Sequence, residues 1–212
     1  EIYTNEELLD GFELSEGSFF SFLANDNQYS REKLKGDIET LESFYRDRGY
    51  LKFSIESSQI SLSRDKKSIF ITFNINEGDK YQINDVDVVG EIPFEEAIYK
   101  DIIQSLKDTT YSQAQITSIE EYFINILGNR GYAFAEVAGN PEIDEETNEV
   151  KLIFSVQPGN RTYTRKILFT GNDITQDHVL RREMRQFEGA WTSDNAIEAG
   201  KVRLERLGYF KE

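Results

Sequence analysis

Apolar side chains recur along this chain with two different periods. They alternate with polar residues from Ile69 to Ile75 and again from Val150 to Val156, the pattern of a β-strand with one buried face. Ahead of each strand region they recur at spacings of three and four, which marks one face of an amphipathic helix. The helix positions are Leu34, Ile38, Leu41, Phe44 and Tyr45, and then Ile116, Ile119, Phe123 and Leu127.

The same elements return at a nearly constant interval. Arg48-Gly49-Tyr50 recurs 82 residues later as Arg130-Gly131-Tyr132, and more loosely 77 residues after that as Leu207-Gly208-Tyr209. A second landmark, Asn76-Glu77-Gly78-Asp79, aligns with Gln157-Pro158-Gly159-Asn160, 81 residues on. Landmarks in one order at one period predict tandem repeats. We expect three, at residues 1–80, 81–161 and 162–212.

Each repeat is predicted to run strand, helix, helix, strand, strand. This order predicts an α+β fold in which a three-stranded mixed sheet packs on two helices. Ser30 and Ser112 are expected to be N-caps of the second helices. The opening strands are expected at Tyr81–Val89 and Tyr163–Thr170, and the short first helices at Asn5 to Phe12, Pro93 to Leu106 and Thr175 to Phe187.

Only the second repeat is expected to be complete. Tyr3-Thr4 aligns with Ile174-Thr175, so the first repeat is predicted to lack its opening strand. The third repeat is predicted to lack its C-terminal hairpin. We therefore expect the chain to be a fragment of a longer repeat-bearing protein.

The first arm of each hairpin is predicted to be an edge strand. In the first repeat it is Lys52–Leu62, where the apolar positions change parity from Phe53 and Ile55 to Ile60 and Leu62. One extra residue near Ser57, a β-bulge, would keep both pairs on the core side. Such an edge can accept an extended segment of another chain. The alternative is a protected edge, because bulges and charges such as Glu56 block pairing.

Composition narrows the classes of function. There are 39 Asp and Glu residues against 24 Lys and Arg, a net charge of −15, which argues against nucleic-acid binding. The chain has no cysteine and one histidine, His178, which excludes disulfides, Cys-ligated zinc and multi-His metal sites. No nucleophile or phosphate-loop motif appears, and no apolar run is long enough for a membrane helix. We expect no enzyme activity and no cofactor.

A basic cluster interrupts the acidic chain. Arg181, Arg182 and Arg185 lie within five residues and are followed by Glu188. Ordinary helix-surface charge is one interpretation. The sharper hypothesis is a docking face, because arginine–carboxylate pairs of fixed geometry give specificity to an interface.

The repeat resembles the POTRA domain of outer-membrane barrel-assembly proteins. The most specific stretch runs from Val179-Leu180-Arg181-Arg182-Glu183-Met184 to Glu188-Gly189-Ala190-Trp191. It is similar to the last POTRA domain before the barrel in the BamA family, and by order the repeats resemble the third, fourth and fifth domains. The resemblance covers essentially the whole chain.

The resemblance implies a non-enzymatic scaffold on the periplasmic face of the Gram-negative outer membrane. It implies that unfolded outer-membrane proteins bind by β-augmentation. It also implies docked lipoprotein subunits, BamB-like at the first repeat and BamD-like at the last. Carried over residue by residue, it implies that Arg181 and Glu188 contact the BamD-like subunit. The membrane would be reached only through a C-terminal barrel outside this chain.

Three alternatives remain open at this point. The chain could be the POTRA arm of a related translocation-and-assembly or two-partner secretion transporter. It could be an adaptor without a barrel. The third alternative is a carboxylate-based hydrolase, which would need a cleft with two positioned carboxylates.

The apolar run Phe19-Phe20-Ser21-Phe22-Leu23 has two interpretations. It is either a surface patch that binds a partner or part of a core.

Overall fold

The computed structural model describes residues 2–4, 7–8, 12, 27–64 and 69–209. Helices and strands alternate through these residues, which confirms the α+β prediction. The helices are α1 (Asn27–Arg46), α2 (Glu96–Leu106), α3 (Gln113–Gly128), α4 (Asp177–Arg181) and α5 (Asp194–Arg206). The strands are β1 (Ser54–Leu62), β2 (Ile69–Asn76), β3 (Gln82–Gly90), β4 (Thr109–Thr110), β5 (Glu136–Asp144) and β6 (Glu149–Gln157).

The chain forms two compact units that do not coincide with the three predicted repeats, whose boundaries stay predictions. The first unit consists of Glu1–Asp85, Leu106–Ile116 and Ile143–Lys151, and the second of Val86–Ser105, Thr117–Glu142 and Leu152–Glu212.

The first unit is built around an aromatic core under a β-hairpin. Tyr45 and Phe53 are buried and stack with their ring centroids 4.1 Å apart. The hydroxyl of Tyr45 donates to Glu77 Oε1 at 2.8 Å, so this buried polar group is satisfied. Burial, together with the nearby Glu77 carboxylate, raises the pKa of Tyr45. The other buried members of this core are Leu41 and Tyr50.

The hairpin of β1 and β2 contains the predicted bulge. The two strands pair antiparallel, and the register shifts between Ile55 and Ser57, so Glu56 is the extra residue. The shift keeps Ile55 and Ile60 on one face, opposite Ile75 and Ile71. That part of the sequence interpretation is confirmed.

Two details of the edge prediction are wrong. Phe53 lies in the turn before β1 rather than in the strand, although it is buried. Ile60 has the face that was predicted but is 58% exposed, because the aromatic core lies near the Ile55 end of the hairpin. The side chain of Leu62 lies outside the described residues.

The second sheet has the order β4-β3-β6-β5. Backbone bonds from Gln82 N to Asn148 O and from Glu91 N to Val156 O advance in the same direction, so β3 and β6 run parallel, as predicted. The predicted edge strand, β5, is at an edge. The two-residue β4 was not predicted and makes the sheet four-stranded rather than three-stranded. The predicted apolar face of β6 is buried, at Val150, Leu152, Phe154 and Val156.

Several helix boundaries differ from the sequence prediction. Ser112 does cap α3, since its hydroxyl accepts from the Gln115 N–H at 3.3 Å. Ser30 lies inside α1, which begins three residues earlier at Asn27, so it is not an N-cap. Helix α2 begins at Glu96, beyond Pro93. The helix predicted at residues 5–12 lies mostly outside the described residues. The apolar run at residues 19–23 lies wholly outside them.

The opening strand predicted at Tyr163–Thr170 is wrong. The only strand-like pairing described there is one isolated bridge between Tyr163 and Trp191. The following helix, predicted from Thr175 to Phe187, is reduced to α4, Asp177–Arg181. A strand needs a neighbour to satisfy its backbone, and among the described residues this segment has no parallel partner such as β6 provides for β3.

Two glycines at matching positions offer a test of packing in the second unit. A Cβ at Gly90 would lie 2.2 Å from the carbonyl oxygen of Val156, whereas a Cβ at Gly171 would meet no atom within 4 Å. Both glycines have positive φ, at 106° and 78°. We expect Gly171→Ala to lower the free energy of unfolding by about 1 kcal/mol, from backbone strain alone. We expect Gly90→Ala to lower it by about 2–4 kcal/mol, since β3 must also move away from β6.

Urea denaturation of both variants measures the difference. Equal losses for the two alanine variants would contradict the packing of Gly90 against Val156.

Candidate functional site

The edge strand β1 pairs with a neighbour on one side only within the described part of the chain. It contains no proline, so each of its nine residues carries a backbone N–H. Ser57 and Ser58 are exposed. The side chain of Ser57 accepts from Asn74 Nδ2 at 2.7 Å, which ties the strand to β2 just beyond the bulge. Within the described part of the chain, the backbone groups of β1 that point away from β2 are therefore available.

The edge strand β5 is obstructed by comparison. The Gly139 N–H donates to the Glu120 carboxylate of α3 at 2.6 Å. Two residues on, Pro141 has no N–H to offer. The strand ends in a turn in which the Asp144 carboxylate accepts from the N–H groups of Glu146 and Thr147. We conclude that the two hairpins present different edges although they occupy the same place in the repeat.

Arg181 and Glu188 form a clamp on the segment before α4. Glu188 Oε1 accepts from the Ile167 N–H at 2.8 Å, and Arg181 Nη2 donates to the Ile167 carbonyl at 2.9 Å. The two side chains also bond to each other, from Arg181 Nη1 to Glu188 Oε1 at 3.0 Å. Arg181 Nε donates in addition to Asp177, and its guanidinium lies 5.5 Å from the ring centroid of Phe169. Both backbone groups of Ile167 are thus satisfied by side chains.

The contacts of the clamp shift the pKa values of Glu188 and Arg181. The Ile167 N–H, and then the Arg181 guanidinium, hold the pKa of Glu188 below its ordinary value. Asp177 and then Glu188 raise the pKa of Arg181. Both side chains are charged at neutral pH.

The two other arginines of the basic cluster are exposed, and one of them is also bonded to a carboxylate. Helix α4 ends at Arg181, so the interpretation of the whole cluster as a helix surface is wrong. Glu183 accepts from Arg203 Nη2 at 2.8 Å and from Arg182 Nε at 3.2 Å, and Arg203, followed by Arg182, lowers the pKa of Glu183. Arg182 and Arg185 are exposed. The structure thus brings Arg181 and Glu188 together, while Arg182 and Arg185 face solvent.

Sequence reasoning missed Gln186, which organises the loop after the cluster. Its side chain is 4% exposed. Its Nε2 donates to the Trp191 carbonyl at 3.0 Å, and its Oε1 accepts from the Ser193 N–H at 2.9 Å. The sequence signal that could have identified it is an uncharged amide side chain within a run of charged residues. Gln186 fixes the path of the chain from the cluster to α5.

Metal and membrane sites are not found in the described ranges. No group of three or more His, Cys, Asp or Glu residues there could hold a metal ion. No described helix is both long and apolar enough to cross a membrane. His178 is exposed.

The family model of the POTRA domain, described as a surface antigen variable number repeat, matches residues 1–78, 81–159 and 162–212. The chain belongs to the POTRA family. The three matches follow the interval that the Gly-Tyr landmarks define.

Two curated relatives carry the name outer membrane protein assembly factor BamA. The protein of Neisseria meningitidis is 30% identical over 99% of this chain and 26% of its own length. The protein of Buchnera aphidicola is 32% identical over 99% of this chain and 34% of its own length. The chain therefore spans a quarter to a third of the length of these relatives.

Two crystal structures of POTRA-bearing proteins are similar in fold. The third to fifth POTRA domains of Haemophilus influenzae BamA match with a TM-score of 0.79 and 26% identity, over 100% of this chain and 83% of that one. Haemophilus ducreyi BamA lacking POTRA domains 1–3 matches with a TM-score of 0.57 and 39% identity, over 62% of this chain and 25% of that one. These matches agree with the assignment of the repeats by order.

The clamp predicts a local acid transition. Folding lowers the pKa of Glu188, so its bonds to Ile167 and Arg181 are fully present above the ordinary pKa of 4.5 and are lost as the pH falls through the lower folded value. In an NMR titration, we expect the amide shift of Ile167 to change with a midpoint below 4.5.

Glu188→Gln is the matched control, because glutamine keeps a carbonyl acceptor without a titrating group. It should abolish this transition. A midpoint at or above 4.5 in the unsubstituted chain would contradict the clamp.

Proposed function

We propose that this chain is part of the periplasmic arm of an outer-membrane protein assembly factor, where it acts as a non-enzymatic scaffold. The proposal is supported by membership of the POTRA family together with similarity, over 99% of this chain, to relatives named as outer membrane protein assembly factors. In this proposal the arm receives unfolded outer-membrane β-barrel proteins and positions lipoprotein subunits. The membrane itself is reached through a barrel outside this chain.

The unfolded client is proposed to bind the edge of β1 by adding a strand to the hairpin. The candidate segment includes Ile55, Ser57 and Ile60, and it extends to Leu62. Three observations support it: the strand has one unpaired side within the described chain, it contains no proline, and Ile60 is exposed. Backbone pairing tolerates many sequences, which suits a scaffold that must accept different clients.

The bulge gives this edge a defined limit. Glu56 interrupts the ladder between Ile55 and Ser57, and a bulge locally increases strand twist. A charged residue at that point disfavours indiscriminate edge-to-edge association. We therefore place the regular stretch for an added strand on the Ser57–Leu62 side of the bulge.

The basic cluster is proposed to dock a BamD-like lipoprotein subunit, and the first repeat a BamB-like one. Arg182 and Arg185 are exposed and would make the direct ionic contacts, Arg182 through the part of its guanidinium that does not bond to Glu183. Arg181 and Glu188 already bond to each other and to Ile167, so their role would be to hold the docking face in shape. Charge complementarity of this kind sets orientation and the rate of association more than affinity.

A proline scan of β1 tests the proposed edge. Prolines are placed singly at each position from Ser57 to Ser61, so that both parities are sampled. At one parity the lost N–H points away from β2, and we expect binding of a peptide copied from an outer-membrane barrel strand to weaken about five- to tenfold while the fold survives. Fluorescence anisotropy measures the binding.

At the other parity, proline removes a bond to β2 and should destabilise the hairpin itself, which circular dichroism reports. If every folded proline variant binds the peptide as the original chain does, β1 is not the edge that clients use.

Charge reversal tests the docking face. In Arg182→Glu/Arg185→Glu, both exposed cations become anions, and we expect co-purification with the BamD-like lipoprotein to fall about tenfold or more. The matched control is Lys201→Glu on α5, which reverses an exposed charge outside the cluster.

Unchanged co-purification with the doubly reversed variant would remove the cluster from the interface. Equal loss with the Lys201 variant would mean that net charge, and not this face, controls association.

A further inference from the structure

We propose that Asp47 and Asn129 are equivalent inter-repeat helix caps: each satisfies an N–H group at the start of the second helix in the following repeat. They thereby hold successive repeats in register. The inference rests on contacts inside each compact unit and is independent of what the scaffold binds.

The first cap lies between the Asp47-Arg48-Gly49-Tyr50 turn and α3. Asp47 Oδ1 accepts from the N–H of Ala114, the second residue of α3, at 2.8 Å. The third N–H of the helix, at Gln115, donates to the helix's own cap Ser112 at 3.3 Å. The first four N–H groups of a helix have no partner inside the helix. Two of these four are therefore satisfied here, one from each repeat.

The second cap repeats this arrangement between Asn129 and α5. Asn129 Oδ1 accepts from the N–H of Asn195, the second residue of α5, at 2.9 Å. The third N–H, at Ala196, donates to the helix's own cap Ser193 at 3.3 Å. The Ser193 hydroxyl donates to the same Asn129 oxygen at 3.0 Å. The same pair of partners therefore serves the same two helix positions one repeat later.

A second bond accompanies each cap. The carbonyl of Gly49 accepts from the Tyr81 N–H at 2.9 Å, and the carbonyl of Gly131 accepts from the Thr162 N–H at 2.7 Å. Tyr81 and Thr162 begin the opening segment of the next repeat. Each Gly-Tyr turn thus holds its successor at two points, the opening segment and the second helix.

The third copy of the turn, at Leu207-Gly208-Tyr209, differs in its capping residue and in the surroundings of its glycine. The residue two before its glycine is Arg206, whose guanidinium only donates. A Cβ at Gly208 would meet no atom within 4 Å, whereas one at Gly49 would lie 2.8 Å from the Thr110 side chain. The capping residue thus occurs in the two turns that have a following second helix among the described residues.

The chain supplies its own isosteric test, because one cap is an aspartate and the other an asparagine. Asp47→Asn and Asn129→Asp each keep the accepting oxygen, so they should preserve the bond. Asp47→Ala and Asn129→Ala remove it. We expect amide hydrogen exchange at Ala114, or at Asn195 in the second case, to accelerate about fivefold in the alanine variants, the usual effect of losing an N-cap.

Limited trypsin cleavage after Lys80 provides a readout that a purely local change in the helix would not move. Lys80 lies in the linker between the first two repeats, and we expect Asp47→Ala to speed its cleavage while Asp47→Asn does not. Asp101→Ala, which removes an exposed carboxylate from α2, is the control and should leave both rates unchanged.

The proposal is overturned if Asp47→Ala exchanges and cleaves like the original chain while circular dichroism shows the fold intact. It is also overturned if Asp47→Asn is as defective as Asp47→Ala, since the charge and not the shared acceptor would then be responsible.

Discussion

The absence of a Cβ at the Gly-Tyr turn is the constraint on which this repeat chain depends. Gly49 and Gly131 have φ of 101° and 96°, values that L side chains rarely adopt. Each is buried, and each carbonyl accepts the first N–H of the following repeat. A side chain at Gly49 would strain the backbone and press on Thr110. A single residue thus ends a helix, admits the next repeat and bonds to it, which explains why this turn is the clearest landmark of the period.

Where a segment has no strand partner, side chains hydrogen-bond its backbone N–H and C=O groups instead. Among the described residues, the segment after Tyr163 has one bridge and no parallel neighbour. Glu188 and Arg181 bond both backbone groups of Ile167 there, and Gln186 serves the loop that follows. Charged partners make such bonds stronger than neutral ones. The motif that most resembles the BamA family is therefore in large part a set of structural contacts, and its exposed arginines are the charged candidates for a partner.

The sequence predicted what periodicity and turn chemistry determine, and it failed where tertiary context decides. Local pattern predicts the alternation in β6, the bulge beside Ile55 and the cap at Ser112. The order of the elements predicts the parallel pairing of β6 with β3. The prediction of a strand at Tyr163–Thr170 was wrong because a strand needs a neighbouring strand to pair with, and the apolar content of a segment does not show whether one is present. The exposure of Ile60 was missed because the alternation of a strand predicts which face a side chain lies on, but not how far along the strand the core extends. The contact of Asp47 was missed because it joins segments 67 residues apart, and no local rule connects Asp47 with Ala114. The bonds of Gln186 reach only five and seven residues ahead, but they lie in a loop without a periodic pattern.

The balance of charge in the third repeat follows from the same contacts. Within a chain of net charge −15, three arginines within five residues predict a concentrated positive face. Arg181 is engaged by Asp177 and Glu188, and Arg203 by Glu183. These pairs neutralise much of the field, and exposed pairs contribute little to stability. What remains is Arg185, together with the exposed Arg182, which shares the Glu183 carboxylate with Arg203. Few exposed cations in fixed positions favour orientation-specific contacts over general attraction to anions.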